Sequence, residues 1–123
     1  MRKDSPLAQL NSIRPQDLWD QPLIVSRQAQ CSNQLKEWLQ KDVSELHIAA
    51  TYNLLFNASL MVEDGMGVAL CLENIINTAC NSTLCFRPLT LEMDAFMSVI
   101  WKKYQVFSKP AEKFLLELQN TEL

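Results

Sequence analysis

Glycine and histidine are scarce in this 123-residue chain, with two of the first and one of the second. Gly65 and Gly67 are too few to build a G-x-G-x-x-G dinucleotide fingerprint or a G-x-x-x-x-G-K phosphate loop, both of which need glycines where backbone approaches phosphate. His47 is the only imidazole and there is no G-x-S-x-G, so the usual nucleophile and base of a hydrolase are missing. His47 also falls inside an apolar segment expected to be a strand, where a lone histidine is ordinarily structural. Positive charge is in deficit too. A net charge of −3 gives no field with which to hold a phosphate backbone, and the short groups Arg2 with Lys3 and Lys102 with Lys103 read as solvated faces. No apolar run approaches the ~18 residues a membrane helix requires. An enzyme, a direct nucleic-acid binder and a membrane-spanning protein are therefore not expected, and no cofactor or metal is.

The cysteines are Cys31, Cys71, Cys80 and Cys85, at spacings that match neither a zinc ribbon nor a redox C-x-x-C. Cys71 and Cys85 have apolar neighbours, where a free thiol behaves as a small hydrophobe. Reduced thiols in a cytoplasmic protein are expected, with a Cys80–Cys85 disulfide as the minor alternative. The start of the chain has no charged segment followed by an apolar one, so no export signal is expected within it. Glu63 and Asp64 adjoin a helix end but are sequence neighbours, which do not face one another on a helix.

What is present is an alternation of element types within one domain's length. Pro15 at a first helical position, with Asp17 in the first turn, predicts a short helix before Pro22. The run Leu23, Ile24, Val25 lacks polar alternation and predicts a strand covered on both faces, as in parallel sheets. Ser32 caps a predicted helix with Leu35, Trp38 and Leu39 on one face, and Asp42 to Glu45 form the return loop. A strand is predicted over Leu46 to Ala50. Leu54, Leu55, Ala58, Met61 and Val62 then mark a buried helical stripe that Gly65 closes, and Gly67 turns the chain into a strand from Val68 to Leu72. Strand, helix, strand, helix, strand demands right-handed crossovers and a parallel sheet. Asn74 to Ser82 reads as a loop or short helix. Leu84 to Leu89 reads as an edge or short strand because of Pro88, and Ala95 to Trp101 as another strand. Ser108 and Pro110 open a final helix whose stripe is Ala111, Phe114, Leu115 and Leu118.

Open α/β sheets bind ligands at the carboxyl ends of their strands. Ser26, Arg27 and Gln28 follow one predicted strand; Thr51, Tyr52 and Asn53 follow another, at the unpaired N–H groups of a helix start. If those strands are neighbours, a hydroxyl, a guanidinium and a helix N-terminus converge on one crevice, enough to hold a small carboxylate. Ser26 and Thr51 can equally be caps and turn residues, and Arg27 can equally pair with a surface acid.

Three stretches carry a resemblance: DSPLAQLNSIRPQDLWDQPLIVSRQ, TYNLLFNASLMVEDGMGVAL and VIWKKYQVFSKPAEKFLLELQ. They are similar, in order, to the D-H-P-L-A, I-x-x-x-D-L, P-L-I series, the V-x-x-G-x-G-x-A-L segment and the closing strand and helix of the effector-binding half of LysR-type transcriptional regulators. Ser5 stands where the family usually has histidine. The resemblance implies an α/β, periplasmic-binding-protein-like subdomain with a mostly parallel sheet flanked by helices, plus a C-terminal helix. It implies residues 1–12 as a connector, 13–88 as the second effector-binding subdomain and 89–123 as return strand and helix, with the winged helix-turn-helix and the first sensor half outside this chain. It further implies a small, anionic effector held by Ser26, Arg27, Gln28, Thr51, Tyr52, Asn53 and Gly67, control of transcription through an oligomer, and contact with DNA only through the absent domain. The alternative is a free-standing solute-binding protein. Burial of Phe114, Leu115 and Leu118 is worth ~1.5–3 kcal/mol each. The final helix is therefore expected either to dock on a second copy or to fold onto this chain's own sheet.

Overall fold

Three successive apolar residues without polar alternation can be satisfied only by a strand buried on both sides, and Leu23, Ile24 and Val25 are each fully buried. They form β1 (Leu23–Ser26), the central strand of a three-stranded parallel sheet, with β2 (Ile48–Tyr52) on one side and β3 (Val68–Ala69) on the other. The computed structural model describes residues 1–91, 93 and 99–120.

The helices are α1 (Pro15–Leu18), α2 (Arg27–Gln30), α3 (Asn33–Leu39), α4 (Leu55–Glu63) and α5 (Lys109–Asn120). The chain moves from β1 outward to β2 and then back across β1 to β3. Right-handed crossovers in opposite directions must lie on opposite faces of a sheet, and the packing follows that rule. Leu35, Trp38 and Leu39 of α3 join Leu18, Leu23, Val25 and Val68 in one core layer. Ala58 and Val62 of α4 join Ile24 and Leu84 in the other. The α/β, periplasmic-binding-protein-like architecture expected from the resemblance is the one found, C-terminal helix included.

Several boundaries differ from those the sequence predicts. The second strand starts at Ile48 rather than Leu46 and runs through Thr51 and Tyr52. Residues Val43–Glu45 form a 3-10 turn capped by the Asp42 carboxylate, and the Leu46 N–H still bonds to the Val43 carbonyl. His47 consequently precedes β2 and is exposed; its carbonyl accepts the Leu23 N–H at 2.8 Å. β3 is two residues long, not five. Leu84 to Leu89 is no strand; its only β-type pairings among the described residues are isolated bridges, Leu84 with Arg2 and Leu89 with Ile13. Val99 to Trp101 is not in a strand, and the remainder of the strand predicted over 95–101 lies outside the described residues.

Residues 1–12 pack closely on this unit: Leu7 and Ala8, in a 3-10 turn over Pro6–Gln9, are buried. Arg87 clips them in place. Its guanidinium donates to the carbonyls of Ala8 (2.7 Å), Leu10 (2.8 Å) and Phe86 (2.7 Å). Trp38 similarly anchors the segment after Leu89, its indole N–H donating to the carbonyls of Thr90 and Leu91. α5 has no buried residue: Phe114 is 60% exposed, and Ala111, Leu115 and Leu118 are half-buried. Of the two expectations for this helix, folding onto its own sheet is not what the structure shows. All four thiols are free. Among the described residues no helix is long and apolar enough to cross a membrane.

Candidate functional site

β1 and β2 run side by side in the same direction, with Val25 opposite Thr51 and Ser26 opposite Tyr52. Neighbouring strands lie about 4.8 Å apart, so the carboxyl ends of the two strands share one rim. The chain leaving β1 turns into α2 and α3 on one face, and the chain leaving β2 turns into α4 on the other. Exits that part in this way leave a crevice between them, the usual ligand position in an open α/β sheet.

The structure brings Ser26, Arg27, Gln28, Tyr52 and Asn53 to this rim, but in roles that differ. The Ser26 hydroxyl accepts the Ala29 N–H at 2.9 Å and caps α2, so one of its lone pairs is committed to holding the turn. Arg27 and Gln28 are the first two residues of α2 and are exposed. Asn53 is exposed just ahead of α4, whose N-cap residue, Leu54, supplies no side-chain acceptor to the first turn. Thr51 was expected after the strand and lies within it. Side chains alternate along a strand, so pairing with Val25 turns Thr51 to the α3 face, away from Ser26 and Tyr52. Tyr52, also within β2, packs against the α4 layer.

Tyr52 is the most constrained group at the rim. Its hydroxyl donates to the Leu70 carbonyl at 2.7 Å, so the ring reaches from β2 past the end of β1 to the residue that follows β3. Burial, with the neighbouring Cys71 thiol adding to it, pushes the phenol up from its ordinary 10.0 to about 12. Burial likewise pushes the Cys71 thiol up. Neither the Leu70 carbonyl nor its distance from Tyr52 has any signature in a sequence.

Gly67 lies at the other end of the sheet. It precedes Val68, which pairs with Leu23 at the start of β1, and a Cβ on it would stand 2.2 Å from the Pro22 carbonyl oxygen. Close backbone approach therefore accounts for this glycine. Gly65, at φ +84°, closes α4 in the left-handed conformation expected of it.

Charge at the rim comes from Arg27. Three of the four arginines are engaged: Arg2 with Asp4, Arg14 with Asp17, and Arg87 with its three carbonyls. Arg27 alone makes no hydrogen bond or ion pair among the described residues. Those residues also hold no cluster of three or more metal-ligating side chains.

A doubly covered parallel sheet with a polar rim at its strand ends defines a ligand-binding subdomain of the periplasmic-binding-protein-like class. The profile of the LysR substrate binding domain matches residues 1–122. The chain belongs to that family, the effector-binding domains of LysR-type regulators. No curated protein and no solved structure matches it.

Proposed function

We propose that the rim formed by Ser26, Arg27, Gln28, Tyr52 and Asn53, with Thr51 supporting it from within β2, is one wall of the site for a small anionic effector. The observation that carries this reading is the free Arg27 guanidinium at the carboxyl ends of two neighbouring parallel strands. A carboxylate there accepts charge-assisted hydrogen bonds from Arg27 and meets the uncapped first turn of α4. Gly67, at the far end, shapes the sheet and touches no ligand.

The effector acts by differential affinity. It favours the arrangement of the sensor in which the rim and its opposing wall close on it, and a DNA-binding domain outside this chain reads out the shift in a cytoplasmic oligomer. The apolar stripe of α5 supports self-association, because helix faces of that kind are usually covered. No bond is made or broken in this scheme.

A thermal-shift screen of small mono- and dicarboxylates on the whole regulator tests the assignment. A charge-assisted hydrogen bond contributes about 1.5–3 kcal/mol, so Arg27→Ala is expected to weaken the stabilising carboxylate by roughly 10- to 100-fold. If Arg27→Ala and Asn53→Ala both respond as the parent does, the rim is not the site.

A further inference from the structure

The inner face of α4 carries Leu55, Ala58 and Val62 into the core, and the face of such a helix that meets water is ordinarily polar. Here it is not. Phe56 is 60% and Leu60 49% exposed, one turn apart on a single stripe that continues to exposed Glu63.

The charges at the ends of α4 are reversed as well. A helix is stabilised by acids at its start and bases at its end, but α4 has no acid in its first turn, no base in its last, and Glu63 and Asp64 at its negative pole. Neither carboxylate makes an ion pair among the described residues, and the Arg2 guanidinium, held by Asp4, reaches only the Glu63 backbone carbonyl, at 3.1 Å.

An identical helix laid antiparallel corrects both faults. Setting Phe56 opposite Leu60 of a second copy brings Glu63 of each helix level with Asn53 of the other, at the N–H groups that no side chain caps. A parallel pair would instead set acid against acid. A helix start has four unpaired N–H groups, enough for an effector carboxylate on the crevice side and Glu63 of the second copy on the outer side. Two-fold pairing makes every contact twice and closes the assembly.

We infer that the outer face of α4 is a self-recognition surface, on which α4 of a second copy packs antiparallel, with Phe56 against Leu60 and Glu63 at the facing helix start. The surface is separate from α5 and from the anion-binding rim, and the inference rests on neither.

Sedimentation equilibrium of the full chain in a Phe114→Ser background, which disables the stripe of α5, tests this. That chain is expected to show a reversible monomer–dimer equilibrium. Adding Phe56→Ser with Leu60→Ser, both at exposed positions, is expected to raise the Kd at least about tenfold, as truncation of interface anchors does. Adding Glu63→Lys is expected to raise it roughly three- to tenfold, more so at low salt, because a cation then faces the positive helix start. The inference is overturned if the Phe114→Ser chain stays monomeric while the parent associates, which would leave the contact to α5 alone, or if neither chain associates. It is equally overturned if the double serine variant associates unchanged, or if Glu63→Lys associates as tightly or more tightly, as a parallel pair would.

Discussion

Removing one oxygen, by Tyr52→Phe, separates what the Tyr52 hydroxyl does for the fold from what the ring does. The ring keeps its place against the α4 layer, while the 2.7 Å bond to the Leu70 carbonyl is lost. A neutral hydrogen bond contributes about 0.5–1.5 kcal/mol net, and the half-buried site lets water compensate in part, so a loss near 1 kcal/mol is expected at neutral pH. For a chain of this length that lowers the melting temperature by roughly 3–5 °C. The pH dependence carries a sign. The phenol is neutral when protonated and its folded value is raised from 10.0 to about 12. The folded state therefore holds its proton where the unfolded state has lost it. The parent's contribution is fully present below pH 10 and is lost as pH rises towards 12. Solvent screening at a half-exposed group keeps that loss well under the limit of ~1.4 kcal/mol per unit. Urea titrations of parent and Tyr52→Phe should thus converge at high pH. In a Tyr104→Phe background, the remaining tyrosinate absorbance reports Tyr52 alone. A midpoint at the ordinary value, together with unchanged stability of Tyr52→Phe, would refute the argument that this side chain spans the strand ends.

Gly67→Ala places a methyl 2.2 Å from the Pro22 oxygen, a backbone atom that cannot turn away, so β3 must move off β1. A loss of about 1–3 kcal/mol in chemical denaturation is expected, with reduced hydrogen-exchange protection at Val68 and Leu70; parental stability would mean the approach is not tight. Asp17 accepts from the Arg14 guanidinium at 3.0 Å and from the Arg14 backbone N–H at 2.9 Å, which holds its carboxyl below the usual carboxylate range. The stability it adds is present above that range and is lost as pH falls through the lowered value. Asp17→Asn should therefore flatten the acid limb of the stability profile, and an unaltered limb would count against the pairing.

The helical face of α3 and the buried β1 were legible in the sequence because local periodicity and full burial coincide there. β2 was misplaced by two residues for the opposite reason. Leu46 is apolar and buried, yet it belongs to a turn set by Asp42, while Thr51 and Tyr52, polar enough to look like a rim, are good strand formers. That propensity was the available signal. The candidate rim shifted accordingly: position at the strand ends is legible from the order of elements, but the face each residue takes depends on register, which Val25 opposite Thr51 decides. Gly67 was visible as a necessary glycine, but its purpose, contact with Pro22 from a distant stretch, was not. Likewise nothing local announces that Trp38 bonds to carbonyls more than fifty residues away.

The Arg87 clip bears on how such a unit can move. One planar guanidinium, with all its bonds to backbone carbonyls, fastens the incoming strand of chain at Ala8 and Leu10 to the outgoing one at Phe86. Backbone acceptors survive any side-chain replacement, and the backbone bridges of Leu84 with Arg2 and Leu89 with Ile13 fasten the same two segments beside it. Two segments riveted at several points in this fashion are expected to open together rather than one at a time, so hydrogen exchange at Ile13 and Cys85 should be lost in step.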